Sequence, residues 1–178
     1  NKITSPYLIT ESDFIACHNK SFLYKFNVLE GIKENGTFLL NAPWDNEEVE
    51  KYLPNNIKKQ IAEKNIKFFV IDAESLATKV GLNRRINLIM QTAFFALSNI
   101  LPINKAIELI KTFAKKTYAS KGEHVLQMNM TAIDNSLNEL REFKHTSSWL
   151  KVNIEEDKDL VDNGIIKGDI NEDITNTD

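Results

Sequence analysis

The sequence predicts an α/β domain: a mostly parallel sheet in a three-layer, Rossmann-like arrangement, with a helix-rich second half. Three observations carry that expectation. Ile66-Lys67-Phe68-Phe69-Val70-Ile71-Asp72 and Thr37-Phe38-Leu39-Leu40-Asn41 are short runs apolar on both faces, as strands are when helices cover both sides of a parallel sheet. These runs alternate with helical patterns, the order that gives parallel strands joined by crossovers. Residues 81–97 form a polar turn leading into a segment that is apolar on nearly every side. Ile86, Met90, Ala93 and Leu97 share one face of it, and Leu88, Ile89, Phe95 and Ala96 fill most of the rest, the pattern of a helix enclosed in an α/β layer.

In chain order, Pro6-Tyr7-Leu8-Ile9 and Asp13-Phe14-Ile15-Ala16-Cys17 read as short strands split by a polar turn. Phe22, Leu23, Phe26, Leu29 and Ile32 make a helical stripe, with Asn19 or Ser21 as cap and Asn35-Gly36 as terminator. After the strand at 37–41, Asp45 caps a helix over 46–53, Pro54 breaks it, and a second piece follows over 57–64. The strand at 66–72 leads to a helical turn over 75–80 and then to the apolar helix. Pro102 closes that helix, Asn104 caps the next at 105–118, and Gly122 separates it from a long helix expected over 123–143. Trp149, Leu150 and Val152 are expected to dock on the body, and residues from 153 onward to form an acidic mobile tail or linker.

The chain has 178 residues, 42% hydrophobic and 26% charged, enough for one domain with a real core and in keeping with a soluble protein. No apolar run approaches the roughly 20 residues that cross a bilayer, and no charged-then-apolar leader precedes Pro6, so a cytoplasmic location is expected. From Ile154 on, nine acidic residues face only Lys158 and Lys167, leaving that stretch at −7 and the preceding 153 residues at +4 within a net charge of −3. The body's mild positive balance suits a phosphate-bearing ligand and is far too small for nucleic acid. Cys17 is the single cysteine, which excludes an internal disulfide and a cluster held by this chain alone. His18, His124 and His145 are too scattered to mark a metal site.

Neither G-x-G-x-x-G nor G-x-x-x-x-G-K-[ST] occurs, so the usual glycine-rich phosphate cradle is absent. Ser148-Trp149-Leu150-Lys151 spells S-x-x-K without the partner motifs a serine nucleophile needs. Asn41 and Asp72 end consecutive strands at the carboxyl edge, where α/β crevices open; Asp72 equally suits a helix cap. Arg84, Asn87, Gln91 and Ser98 form the one polar stripe on the apolar helix. Arg84 and Arg85 suit either an anion or an ion pair with Asp72 and Glu74.

Five blocks together are more specific than any of these motifs: Ser5-Pro6-Tyr7-Leu8-Ile9, residues 13–18, Gly36-Thr37-Phe38-Leu39-Leu40-Asn41-Ala42-Pro43, Phe69-Val70-Ile71-Asp72-Ala73 and Arg85-Ile86-Asn87-Leu88-Ile89-Met90-Gln91-Thr92. In order and spacing they resemble the γ-type domain of pyruvate:ferredoxin (flavodoxin) oxidoreductases, and the likeness runs to about residue 143. It implies a partial γ-type domain over 1–152 that lacks the family's glycine-rich opening. It further implies a fragment, inactive alone, of an enzyme that oxidatively decarboxylates pyruvate to acetyl-coenzyme A. Thiamine diphosphate, iron–sulfur clusters and coenzyme A would serve the complete enzyme, with none of them bound by this chain alone. Ferredoxin or flavodoxin would be met through other domains, in a homo-oligomer. Where the family has a glycine-rich turn, this chain has Gly81-Leu82-Asn83-Arg84. The resemblance makes Arg85, Asn87 and Gln91, with Asn41 and Asp72, a coenzyme A-facing or domain-facing surface. The alternative is a non-catalytic interaction domain that docks on thiamine-binding partners.

Overall fold

The structure, a computed structural model, describes residues 11–158. The strand expected at residues 6–9 and the acidic stretch past 158 lie outside the described residues. Four strands form one sheet in the order β1 (Ser12–Cys17), β2 (Ile32–Asn41), β3 (Lys67–Ile71), β4 (Leu140–Phe143). β1 and β2 pair in parallel, as do β2 and β3, while β4 lies antiparallel to β3 with Phe68 opposite Phe143. The helices named among the described residues are α1 (Phe22–Lys25), α2 (Asn46–Tyr52), α3 (Asn55–Glu63), α4 (Ala73–Lys79), α5 (Asn87–Leu97), α6 (Ile103–Tyr118) and α7 (Glu123–Ser136).

Strand alternation sorts the core into two faces. Phe38, Leu40, Phe68 and Val70 point to one side, where Val49 and Leu53 near α2 and Ile57 and Ile61 of α3 cover them. Leu39 and Ile71 point to the other, against Leu76 and Ala77 of α4, Ile89, Met90 and Ala93 of α5, and Ala132 of α7. The three-layer α/β expectation is met, with an addition. Ile110 and Ala114 of α6 pack on Leu88 of α5 and Ile133 of α7, so α6 rests on helices and forms a fourth layer outside them.

Local chemistry sets several boundaries. Asp45 and Glu48 exchange side-chain-to-backbone hydrogen bonds of 2.8 and 2.9 Å at the start of α2, a reciprocal capping box. The carboxylate of Asp72 accepts from Ser75 N at 3.0 Å and opens α4. Gly81 has φ +88°, and a Cβ there would stand 2.7 Å from Met128 Sδ. Its backbone freedom therefore turns the chain between α4 and α5, and its missing side chain lets α7 approach.

Three expectations need correction. The helical stripe from Phe22 to Ile32 yields only the single turn of α1, because Ile32 instead begins β2 and pairs with Ser12; Phe22 and Phe26 are left 42% and 63% exposed. The helix expected over 123–143 stops at Ser136, whose hydroxyl bonds back to Ala132 O at 2.6 Å. A turn at Asn135–Asn138 then sends the chain back along β3 as β4. The apolar helix starts at Asn87 rather than with the arginines before it.

The packed body also continues past residue 153. Residues 144–158 form a strap across α3. Trp149, 1% exposed, stacks on Phe143 at 5.3 Å and on His145 at 5.9 Å. Its indole N–H donates to both carboxylate oxygens of Glu50 at 3.1 and 3.0 Å. Buried Lys58 donates to Glu50 O, lies 3.7 Å from the Glu50 carboxylate, and sits 5.8 Å above the Trp149 ring. Farther along, the carboxylate of Asp157 accepts from Asn55 N at 2.6 Å and Asn56 N at 2.8 Å, satisfying first-turn donors of α3 from a hundred residues away.

Candidate functional site

The carboxyl edge of the parallel strands is where an α/β fold opens a crevice, and Asn41 ends β2 there. Its side chain is buried, 4% exposed. Its amide nitrogen donates to His18 O at 2.9 Å and its amide oxygen accepts from Ala73 N at 3.0 Å. Asn41 thus ties the segments leaving β1 and β3 to the end of β2, and both ends of its amide are engaged within the chain. Asp72, next to Ala73, uses one carboxylate oxygen as the α4 cap.

Beside them lies a cleft of about 310 Å³ whose walls include Pro43, Trp44, Asp45, Asp72, Glu139 and Arg141. The Arg141 guanidinium donates to Trp44 O and to Asn46 Oδ1, and Lys79 pairs with Glu139 at 3.7 Å. The walls carry three carboxylates and one guanidinium, the latter already directed at neutral oxygens, a balance that disfavours anions. Sequence reading passes over Arg141 because residues 123–143 look helical. The local signal is the asparagine-bounded turn from Asn135 to Asn138 that interrupts the helical pattern just before it.

Cys17 and Ser21 are buried at the same edge. The Cys17 thiol donates to Asn19 O at 3.1 Å, and burial pushes its pKa from 9.0 up to about 11, so at neutral pH it is an unreactive thiol. Ser148 shares a hydrogen bond with Thr146 at a turn of 3-10 helix (Ser147–Lys151). Among the described residues no group of three or more His, Cys, Asp or Glu is placed to hold a metal ion. One buried cysteine cannot supply the ligands of an iron–sulfur cluster. Nor is any helix among the described residues long and apolar enough to cross a membrane.

Arg84, Arg85, Asn87 and Gln91 are exposed along the turn before α5 and its first half. Arg85 Nε donates to Leu82 O at 3.2 Å, and among the described residues neither arginine pairs with Asp72 or Glu74. No hydrogen bond or ion pair joins Arg85, Asn87 and Gln91 to Asn41 and Asp72. The five predicted positions therefore fall into two groups, two with side chains hydrogen-bonded within the carboxyl edge and three presented outward by α5. What approaches Gly81 closely is Met128 of this chain.

One turn beyond Asn87, Gln91 borders a groove of about 520 Å³ between α5 and α6. Phe94 and Phe95 of α5, Leu101, and Leu109, Ile110 and Phe113 of α6 supply its walls. Phe94 meets Phe14 of β1 edge-to-face at 4.8 Å and Phe95 at 5.3 Å, so one wall is braced against the sheet.

Comparison with known proteins places this fold. The pyruvate ferredoxin/flavodoxin oxidoreductase family model matches residues 1–139. Pyruvate:ferredoxin oxidoreductase of Moorella thermoacetica is 49% identical over 147 residues, 83% of this chain and 13% of that protein. Pyruvate dehydrogenase [NADP(+)] of Cryptosporidium parvum is 41% identical over 175 residues, 97% of this chain and 9% of that protein. The solved structure of pyruvate oxidoreductase subunit PORC from Thermotoga maritima superposes with a TM-score of 0.60 at 21% identity, covering 79% of this chain and 69% of that one. The chain spans about an eighth or less of the length of these two curated relatives. On the family match and the identity to full-length relatives, it belongs to the pyruvate ferredoxin/flavodoxin oxidoreductase family.

Proposed function

We propose that this chain is the γ-type domain of an enzyme that oxidatively decarboxylates pyruvate to acetyl-coenzyme A, and that it is inactive alone. The observation that carries the reading is the match to Moorella pyruvate:ferredoxin oxidoreductase, high in identity yet confined to 13% of that protein. Thiamine diphosphate and iron–sulfur clusters belong to other parts of the enzyme, since one buried cysteine cannot supply cluster ligands. The domain then contributes scaffold and surface, leaving carbanion and electron chemistry to cofactors held elsewhere. Pyruvate turnover with coenzyme A should appear in the full-length polypeptide and be absent from the 178-residue chain. Activity from the chain alone would defeat the reading.

Within that enzyme, Arg85, Asn87 and Gln91 are the positions assigned to a surface facing coenzyme A or a neighbouring domain. Their exposure supports it, as does the basic character of the turn before α5. Asn41 and Asp72, whose side chains are engaged with His18 O, Ala73 N and Ser75 N, stand apart from that surface at the sheet edge. Arg85→Ala in the full-length enzyme should weaken coenzyme A binding about tenfold, the loss of one charge-assisted hydrogen bond, as read by calorimetry. An unchanged Kd would remove coenzyme A from the assignment.

A second reading concerns the electron acceptor. The Cryptosporidium relative, named for NADP(+), aligns over 97% of this chain, which takes in most of the acidic stretch that the family model leaves unmatched. That favours an enzyme whose electrons end on NADP rather than on ferredoxin or flavodoxin. Pyruvate-dependent reduction of each acceptor by the full-length polypeptide separates the two.

A further inference from the structure

Large apolar side chains left on the surface are unevenly distributed. Of the nine such residues among those described, Phe95, Ile100, Ile103, Leu109 and Phe113 lie on α5, α6 and the turn between them. Leu109 and Phe113 are 58% and 56% exposed, one turn apart on the same wall of the α5–α6 groove. Scattered exposed apolar residues are ordinary, whereas three of these five, Phe95, Leu109 and Phe113, line one groove of about 520 Å³, and such a concentration marks an interaction surface. At 100° per residue, Lys105 and Lys116 flank Leu109 and Phe113 on the side of α6 away from its buried residues Ala106, Ile110 and Ala114. Both lysines are exposed and in no ion pair among the described residues.

Resting on the reading of this chain as one domain of a much longer enzyme, we propose that this groove is the docking surface for another domain of the same polypeptide. That domain presents an apolar helix or loop flanked by aspartate or glutamate. Two features select this occupant over the others. A second copy pairing face to face would set Lys105 and Lys116 against the same lysines, a like-charge contact that costs affinity. The last described residues, at the strap on α3, lie on the opposite side of the sheet from α5 and α6, so a cross-link from the groove to residues 159–178 is kept as an outcome of the test. An intramolecular neighbour is held at high effective concentration, so a groove of this size suffices without the buried area that free partners need. Gln91 gives the otherwise apolar floor a polar contact that fixes orientation, and the Phe14–Phe94 contact keeps the α5 wall in place without a partner.

The test uses the full-length polypeptide. Carbodiimide treatment followed by peptide mass spectrometry should join Lys105 or Lys116 to an acidic residue outside these 178. In the same polypeptide, maleimide labelling of Leu109→Cys and Phe113→Cys should run at least about a hundredfold slower natively than in urea. Lys105→Glu with Lys116→Glu should raise labelling at Phe113→Cys about tenfold. Native labelling within threefold of the urea rate would overturn the proposal, as would a cross-link to residues 159–178 or to an isotope-marked second copy. Slow labelling with no cross-link and no response to charge reversal would overturn the acidic partner. Turnover is measured separately, so an inactive polypeptide that still cross-links rejects the pyruvate reading and leaves the surface standing.

Discussion

Replacing Trp149 with alanine tests whether residues 144–158 belong to the folding unit. The side chain is 1% exposed and stacks on Phe143 and His145, so truncation opens a cavity in the α3 face and costs about 3–5 kcal/mol. The cation–π contact from Lys58 is worth about 1 kcal/mol more at a partly desolvated site. The hydrogen bonds to Glu50 add little, because that carboxylate is 47% exposed on its side chain and water replaces the indole donor. A loss of about 5 kcal/mol is therefore expected, a large part of the roughly 5–15 kcal/mol that holds a domain. Trp149→Phe keeps a stacked ring but loses buried volume, and should cost about 1–2 kcal/mol. Urea unfolding followed by far-ultraviolet circular dichroism measures both without relying on indole emission, which the substitution halves. A Trp149→Ala loss under 1 kcal/mol would show that the strap is not part of the cooperative core.

Other substitutions probe the remaining tertiary ties. Asp157→Ala removes both acceptors at the start of α3 and should cost about 1–2 kcal/mol in the same assay. Asn41→Asp keeps the acceptor for Ala73 N but turns a carboxylate oxygen toward His18 O, so it should destabilise more than Asn41→Ala, itself about 2–4 kcal/mol from two buried groups left unpaired. The reverse order of the two variants would mean that Asn41 is not the tie described. Because the folded Cys17 pKa lies near 11 against 9.0 in an ordinary thiol, its contribution to stability is complete below pH 9 and is lost as pH rises through 11. At pH 10 the loss is about 1.4 kcal/mol. Cys17→Ala should remove that part of the alkaline decline, and a thiol reagent should label native Cys17 only as fast as the chain opens.

What could be read from the residues alone was what local chemistry decides. Asp45 and Asp72 cap helices wherever the chain goes, and the doubly apolar runs at β2 and β3 have no use except inside a covered sheet. The errors came where a distant partner outvoted local spacing. Leu29 and Ile32 sit at helical intervals from Phe22, yet pairing of Ile32 with β1 fixes them in extended chain. Leu140 to Phe143 continue the period of α7, yet β3 offers an edge whose hydrogen bonds are worth more than another helical turn. Arg141 was hidden for the same reason, since its place in the cleft exists only once β4 has paired. The polar stripe of Arg84, Asn87, Gln91 and Ser98 was legible from spacing, whereas Arg85 was singled out only by the family resemblance. The groove that begins at Gln91 was not, because Phe95, Leu109 and Phe113 look like core residues until α6 is seen to lack a covering layer.

Because α6 leans only on other helices, it has its own place in the order of opening. An excursion that peels α6 from Leu88 and Ile133 leaves every strand pairing and both sheet-facing clusters intact. Amides of residues 106–117 should therefore exchange through a local opening of lower free energy than those of β2 and β3. Whatever fills the groove closes that route first, so occupancy of the outer face registers as slowed exchange in α6 while the sheet's protection barely changes.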